Sequence, residues 1–166
     1  MGHVIIDASV AITFGNAHEF GIVSQLQTHA VVIGARTSGE VVRDPAAAAL
    51  AFAVSDGSIR LASIDLENAA EQTALQQYDS RIAFRGRGDA ETLALAVSRG
   101  YIVASDDRAV RSTAKADIGQ ARTASTVDIL RWAVIEKRLD AAAAVAVLAR
   151  LDIGPQIIRA AAVQGK

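Results

Sequence analysis

The chain has 166 residues, 51% of them hydrophobic, with 17 basic and 18 acidic side chains and no cysteine. This length suffices for one domain with a substantial core. The lack of cysteine excludes a disulfide framework and a thiolate metal site, and the near-zero net charge restricts any nucleic-acid surface to a local patch. No apolar run is long enough to span a bilayer, and the N-terminus lacks the basic segment of a signal peptide, so we expect a cytoplasmic protein.

Strand and helix patterns alternate along the chain. Short β-branched runs predict strands at residues 4–6, 31–33, 59–64 and 101–104, with a weaker one at 121–125. Apolar spacing and capping residues predict helices at 16–27, from 37, and at 46–54, 66–78, 89–98, 108–115, 126–137, 141–151 and 156–163. The alternation predicts one α/β domain over residues 1–166, a three-layer α/β/α sandwich with a central parallel sheet of about five strands. A helical extension is expected from about residue 126.

Aspartates follow the first and fourth predicted strands. Asp7 comes directly after the first strand, and Asp106 and Asp107 follow Ser105 after the fourth. Carboxyl ends of parallel strands line one crevice, where ligands usually bind. Carboxylates crowded into a crevice repel each other, and a hard divalent cation relieves this repulsion. The sequence therefore predicts a metal site and phosphodiester chemistry, although Asp7 could cap a turn and one of the paired acids could cap the next helix.

Further acids lie at the start of two predicted helices. Glu40 ends a Thr37-x-x-Glu40 pattern, which is also typical of a capping box. Asp89 borders the apolar stripe of its helix, but a first-turn acid is also favoured by the helix dipole. Glu91 lies nearly opposite Asp89 around the helix axis, so we expect it to face solvent or the rim of the site.

Arginines accompany each acidic segment. They are Arg36 and Arg43 around Glu40, Arg85 and Arg87 before Asp89, and Arg108 and Arg111 after the acidic pair. A planar, permanently charged guanidinium suits phosphate, although a solvated charged face is the alternative for each one. No run of aromatic residues predicts a base-stacking platform, so no sequence selectivity is predicted.

The order of these motifs resembles that of the PIN-domain nucleases, in particular a prokaryotic VapC-toxin-like subgroup. The matching segments are VIIDAS at 4–9, SGE at 38–40, GDAETLALA at 88–96, SDDRAVR at 105–111 and the Thr-led TVDIL at 126–130. The resemblance covers most of the chain, and residues 86–111 are its most specific part.

The resemblance implies an endoribonuclease that depends on Mg²⁺ or Mn²⁺ and leaves 5′-phosphate and 3′-hydroxyl ends. It implies that Asp7, Glu40, Asp89 and Asp107 are catalytic and bind the metal, with Asp106 beside them. Ser9, Glu91 and Ser105 are expected to support these acids. Arg36, Arg43, Arg87, Arg108 and Arg111 are expected to bind substrate. The expected partner is RNA, and an antitoxin protein and a second copy of the chain are candidate partners.

Two other classes stay open at this stage. One is a catalytically inert PIN-like domain that binds RNA or protein. The other is a phosphatase or phosphotransfer receiver, in which Asp65 after the third predicted strand would accept the phosphoryl group. The Gly86-Arg87-Gly88 segment is not a phosphate-binding P-loop, because it follows no strand and lacks the Lys-Ser/Thr pair.

Overall fold

The protein is described by a computed structural model that covers residues 2–81 and 86–151. Five strands lie within these ranges: β1 (Gly2–Ile6), β2 (His29–Gly34), β3 (Ile59–Ala62), β4 (Ile102–Ala104) and β5 (Thr123–Ala124). The helices that precede β4 are α1 (Ala8–Asn16), α2 (Phe20–Ser24), α3 (Ala35–Ser38), α4 (Ala46–Ser55), α5 (Ala69–Asp79) and α6 (Arg87–Arg99). Those that follow it are α7 (Arg108–Ile118), α8 (Thr126–Ile135) and α9 (Ala141–Arg150).

All five strands are parallel, in the order β3-β2-β1-β4-β5. Ile6 at the end of β1 pairs with Ile33 on one side and Ala104 on the other. The chain therefore builds the sheet outward from β1 to β3 and then returns to the opposite side of β1. Such a reversal opens a crevice at the carboxyl ends of the two strands that flank it, here β1 and β4.

Helices cover both faces of the sheet, which confirms the predicted three-layer sandwich. Val4 and Ile6 pack in one apolar cluster with α1, α2, α4, α8 and α9. Ile5 points to the opposite face and packs in a second cluster with α5, α6 and α7. The alternation follows from the two-residue period of a strand, and both sides of β1 are apolar because both are buried.

The first predicted helix, at residues 16–27, is wrong in its position. The structure has α1 immediately after Asp7, and α2 covers only Phe20–Ser24. Asp7 caps α1 through its side chain, and the helix buries Val10 and Phe14. Periodicity failed here because the only polar residues on the outer face of α1 are Ser9, Thr13 and Asn16, none of them charged, so its polar stripe is weak.

Several other boundaries differ by a few residues. Strand β3 stops at Ala62, and α6 begins at Arg87, two residues before the predicted start. The α6 helix ends at Gly100 as predicted, where φ is 74°. The predicted helix at residues 156–163 and Arg85 lie outside the described residues. Within the described ranges, no helix is both long and apolar enough to cross a bilayer.

Candidate functional site

Asp7 forms the floor of the crevice between β1 and β4. Its backbone N–H donates to the carbonyl of Ala104 at 2.9 Å, which holds the ends of the two strands together. Its side chain is only 2% exposed. Oδ1 accepts from Ala8 N at 2.8 Å, and Oδ2 accepts from the hydroxyls of Ser9 and Ser105, each at 2.8 Å. Ser9 and Ser105 therefore both hold the Asp7 carboxylate through Oδ2.

Burial disfavours the ionised form of the Asp7 side chain. Desolvation is the largest cause of a raised Asp7 pKa, and it outweighs the hydrogen bonds from Ser105, Ser9 and Ala8 that favour the charged form. The charge of Asp107 raises this pKa further. Asp7 thus lies where a cation would stabilise its ionised form.

Asp89 lies in the first turn of α6 and is half-buried beside this floor. Burial is the main reason that its pKa rises to about 6, and the negative charges of Asp7, Asp107 and Glu40 add to the effect. These couplings require that carboxylates from four separate segments of the chain lie within electrostatic range of one another.

Glu40 is not the helix-starting cap that the capping-box pattern suggested. Helix α3 ends at Ser38, so Glu40 follows a helix instead of opening one. The Thr37 hydroxyl donates to the carbonyl of Gly88 at 3.0 Å and lies 3.0 Å from the Thr92 hydroxyl. Glu40 Oε1 instead accepts from the backbone N–H of Gly88 at 2.9 Å. This bond joins Glu40 to the first turn of α6, next to Asp89.

The glycine at position 88 is a site residue that the sequence reasoning missed. A Cβ at this position would lie 2.8 Å from the carboxyl carbon and both carboxylate oxygens of Glu40. Only a residue without a side chain leaves room for the carboxylate at that distance. The Gly-Asp order at positions 88 and 89 was the available signal.

The structure separates the roles of the acidic pair after β4. Both oxygens of Asp106 accept from Thr126, at 3.0 Å from its backbone N and 2.6 Å from its hydroxyl. Asp107 caps α7 through Oδ1, which accepts from Ala109 N at 2.6 Å and Val110 N at 3.2 Å. The Asp107 side chain is exposed, and its charge raises the pKa of both Asp7 and Asp89. Asp107 is therefore close enough to couple with both acids of the crevice, whereas Asp106 positions the start of α8.

Glu91 does not face solvent or the rim, and that expectation is wrong. Glu91 is only 2% exposed. Its Oε2 atom accepts hydrogen bonds from the backbone N–H of Arg36 at 2.7 Å and of Thr37 at 3.3 Å. It thus caps α3 from the neighbouring helix, where Gly34 has no side chain to do so. Burial raises the Glu91 pKa in spite of these bonds. The helical-wheel argument failed because α3 covers this side of α6.

The predicted arginines differ in their surroundings. Arg36 lies 3.9 Å from Asp79 in an exposed ion pair. Arg43, Arg87 and Arg108 are exposed, and Arg111 is partly buried. Among the described residues, none of these last four forms an ion pair.

The chemistry of the crevice suits a hard divalent cation. Asp7, Glu40, Asp89 and Asp107 offer only oxygen donors, and no described cationic side chain forms an ion pair with them. No set of three or more His, Cys, Asp or Glu side chains in residues 2–81 and 86–151 already has an arrangement that could hold a metal. The oxygen donors and the lack of a preformed three-ligand group are compatible, because Mg²⁺ keeps several waters and commonly needs only one or two protein carboxylates.

A parallel α/β/α sandwich with acids gathered at the reversal of strand order is a fold class that includes nucleases. The family model described as DUF3368: PIN domain matches residues 3–153. The chain therefore belongs to this PIN-domain family, whose members are generally nucleases that use divalent metals. No curated protein and no solved structure matches the chain significantly.

Proposed function

We propose that the protein is a ribonuclease that hydrolyses RNA phosphodiester bonds with Mg²⁺ or Mn²⁺. The main support is the meeting of four carboxylates from four chain segments in one crevice, without a described cationic partner. Asp7, Glu40, Asp89 and Asp107 would hold the ion, one or two of them directly and the others through its bound waters. When bound, the ion would supply Lewis-acid activation of water and would offset charge on the phosphoryl oxygens.

The protein groups around the ion have distinct roles in this proposal. Ser9 and Ser105 orient the buried Asp7 through Oδ2. Gly88 positions Glu40 by its backbone N–H. Thr126 donates hydrogen bonds to both carboxylate oxygens of Asp106, so Asp106 would act on the shape of the crevice. The exposed Arg43, Arg87 and Arg108 would contact phosphates of the substrate.

Replacing Asp7 by Asn tests the proposal. Asn keeps the size of the side chain but removes a charge that would hold the cation. We expect cleavage of a mixture of single-stranded RNAs in Mn²⁺ to fall on the order of 100-fold or more, since metal catalysis contributes several kcal/mol. The matched control is Asp65→Asn, an exposed aspartate outside the crevice, which should cleave like wild type. A chelator should abolish cleavage by both wild type and control.

The inert alternative is favoured by one observation, the lack of a preformed three-ligand group among the described residues. The same assay distinguishes it. Equal cleavage by wild type and Asp7→Asn would point to a contaminating nuclease or a wrong site. An inactive wild type that still binds RNA would favour the non-cleaving domain.

The toxin role, with a protein antitoxin as partner, rests on resemblance to the prokaryotic toxin subgroup. Its test is induced expression in bacterial cells, followed by growth. Growth arrest by wild type but not by Asp7→Asn would support the role. Normal growth at verified protein levels would count against it.

A further inference from the structure

One side of α7 forms a basic cavity of about 260 Å³. It is lined by Arg108, Arg111, Ser112 and Lys115. These positions follow the i, i+3, i+4, i+7 spacing of one helix face. The opposite side of α7 is buried through Val110 and Ala114. The cavity therefore lies on the outer face of a helix that is anchored in the core.

The cations of this cavity have no acidic partner among the described residues. No ion pair involves Arg108, Arg111 or Lys115. Asp117 on the same helix is engaged elsewhere, since it lies 3.0 Å from Arg81 and accepts from the Tyr78 hydroxyl. The cations of the cavity thus have no ion-pair partner within the described part of the chain.

Arg111 supplies a second and independent observation. Its Nη1 atom is buried and has no hydrogen-bond partner in the described structure. A buried charged donor without an acceptor is costly, and such a group calls for an explanation. The Arg111 guanidinium therefore keeps an unused donor within the described part of the chain, and a rotation of its side chain would bring that donor to an anion in the cavity.

The position of the cavity indicates which kind of anion it binds. Asp107 caps α7 and couples electrostatically with Asp7 and Asp89 of the acidic crevice, and Arg108 is the next residue. From Arg108 to Lys115 the helix rises about 10 Å. The cations therefore form a stripe that begins at the crevice and leads away from it. An extended chain of phosphates matches this shape better than a single small anion does.

We propose that Arg111, Ser112 and Lys115 form a distal subsite for backbone phosphates of the RNA strand, so that the strand leaves the acidic crevice along α7. The inference rests on the proposed function and extends it. It assigns Ser112 and Lys115 to phosphate binding and gives the path by which the RNA strand leaves the crevice. Arginine and lysine contacts to phosphate release counterions, so this subsite contributes to the salt dependence of binding.

The test uses the full chain in an Asp7→Asn background, so that bound RNA stays intact. Binding of a labelled single-stranded RNA is followed by fluorescence anisotropy over a salt series. The variant Arg111→Gln/Lys115→Gln is compared with the charge-matched control Arg60→Gln/Lys137→Gln. Arg60 lies exposed on β3, at the opposite edge of the sheet, and Lys137 follows the far end of α8. Thermal melts verify that both double variants fold. If the Arg111→Gln change prevents folding, the single variant Lys115→Gln takes the place of the double variant.

We expect the subsite variant to bind a long RNA roughly tenfold more weakly at low salt, with its log–log salt slope reduced by about 0.7 for each lost phosphate contact. A trinucleotide, too short to fill the crevice and reach Lys115 as well, should bind both variants alike. The control should match its parent throughout.

Three results would overturn the inference. The first is an unchanged affinity and salt slope for long RNA, while Asp7→Asn still abolishes metal-dependent cleavage, which leaves the proposed function intact. The second is an equal loss in the control, which would mean a nonspecific charge effect. The third comes from a direct titration with inorganic phosphate: a variant that binds long RNA like its parent but binds phosphate more weakly would mean a small-anion pocket. Failure of the proposed function looks different, since wild type would then not cleave RNA with Mn²⁺ at all.

Discussion

At the scale of single residues, the pKa of Asp89 gives the site a measurable pH dependence. Its pKa rises from 3.8 to about 6, mainly through burial, with added repulsion from Asp7, Asp107 and Glu40. Between these pH values the folded protein retains a proton that the unfolded chain has released. The contribution of this carboxyl to stability is therefore greatest below about pH 4 and falls as the pH rises toward about 6.

In the metal-free protein, Asp89→Asn should remove the decrease in stability that accompanies the rise in pH from about 4 to about 6. We expect the variant to be more stable than wild type by about 1 kcal/mol near neutral pH, after allowance for solvent screening, and to lose the advantage near pH 4. Denaturant unfolding with chelator, at several pH values, measures the difference. Parallel stability profiles for the two proteins would contradict the prediction.

At the scale of the elements, the contact between α6 and the segment after α3 depends on Gly88. Gly88→Ala would place a Cβ only 2.8 Å from the carboxyl carbon and both carboxylate oxygens of Glu40. We expect Glu40 to be displaced and Mn²⁺ affinity to fall roughly tenfold, as is typical when an outer group that orients a ligand is lost. Isothermal titration with Mn²⁺ measures the change. The control is Gly21→Ala in α2, where the new Cβ meets only the Gln25 amide nitrogen at 3.7 Å; equal affinity in both variants would show that Gly88 does not position a ligand.

Glu91 belongs to the same pair of helices, but it has a structural role. It caps α3 with one carboxylate oxygen, so Glu91→Ala would leave two backbone N–H groups without an acceptor. We expect a loss of about 1–3 kcal/mol in the free energy of unfolding. Glu91→Gln keeps an acceptor and removes a buried charge, so it should retain near-wild-type stability and cleavage. Loss of Mn²⁺ binding in a folded Glu91→Gln protein would instead identify Glu91 as a ligand.

At the scale of the whole molecule, metal binding should stabilise the fold, because only the folded chain brings the four acids together. At a Mn²⁺ concentration about 100 times the dissociation constant, the gain is about 2.7 kcal/mol. A thermal melt should therefore shift upward with millimolar Mn²⁺ or Mg²⁺ for wild type. Asp7→Asn should show a much smaller shift, whereas a wild-type melt unaffected by either ion would argue against a native metal site.

The alternation of strand and helix patterns along the sequence was enough to determine the fold class. The apolar runs ending at Ile6 and Ala104 indicated buried parallel strands, and both receive helices on each face. The acids after these strands were also readable, because a charged residue directly after a buried strand is unusual. The error at residues 8–27 arose because the outer face of α1 has hydroxyl and amide side chains but no charged residue, so its helical period was only weakly marked.

The tertiary structure alone decided how the acids relate to one another. Sequence order does not reveal that β4 returns to the side of β1, and this strand order brings Asp107 to Asp7. Nor does spacing distinguish Asp106 from Asp107, because the choice depends on Thr126, twenty positions along the chain from Asp106. The burial of Glu91 likewise depends on α3 covering it. Local sequence determines which elements form, whereas the partners of a buried carboxylate depend on contacts between segments distant in the chain.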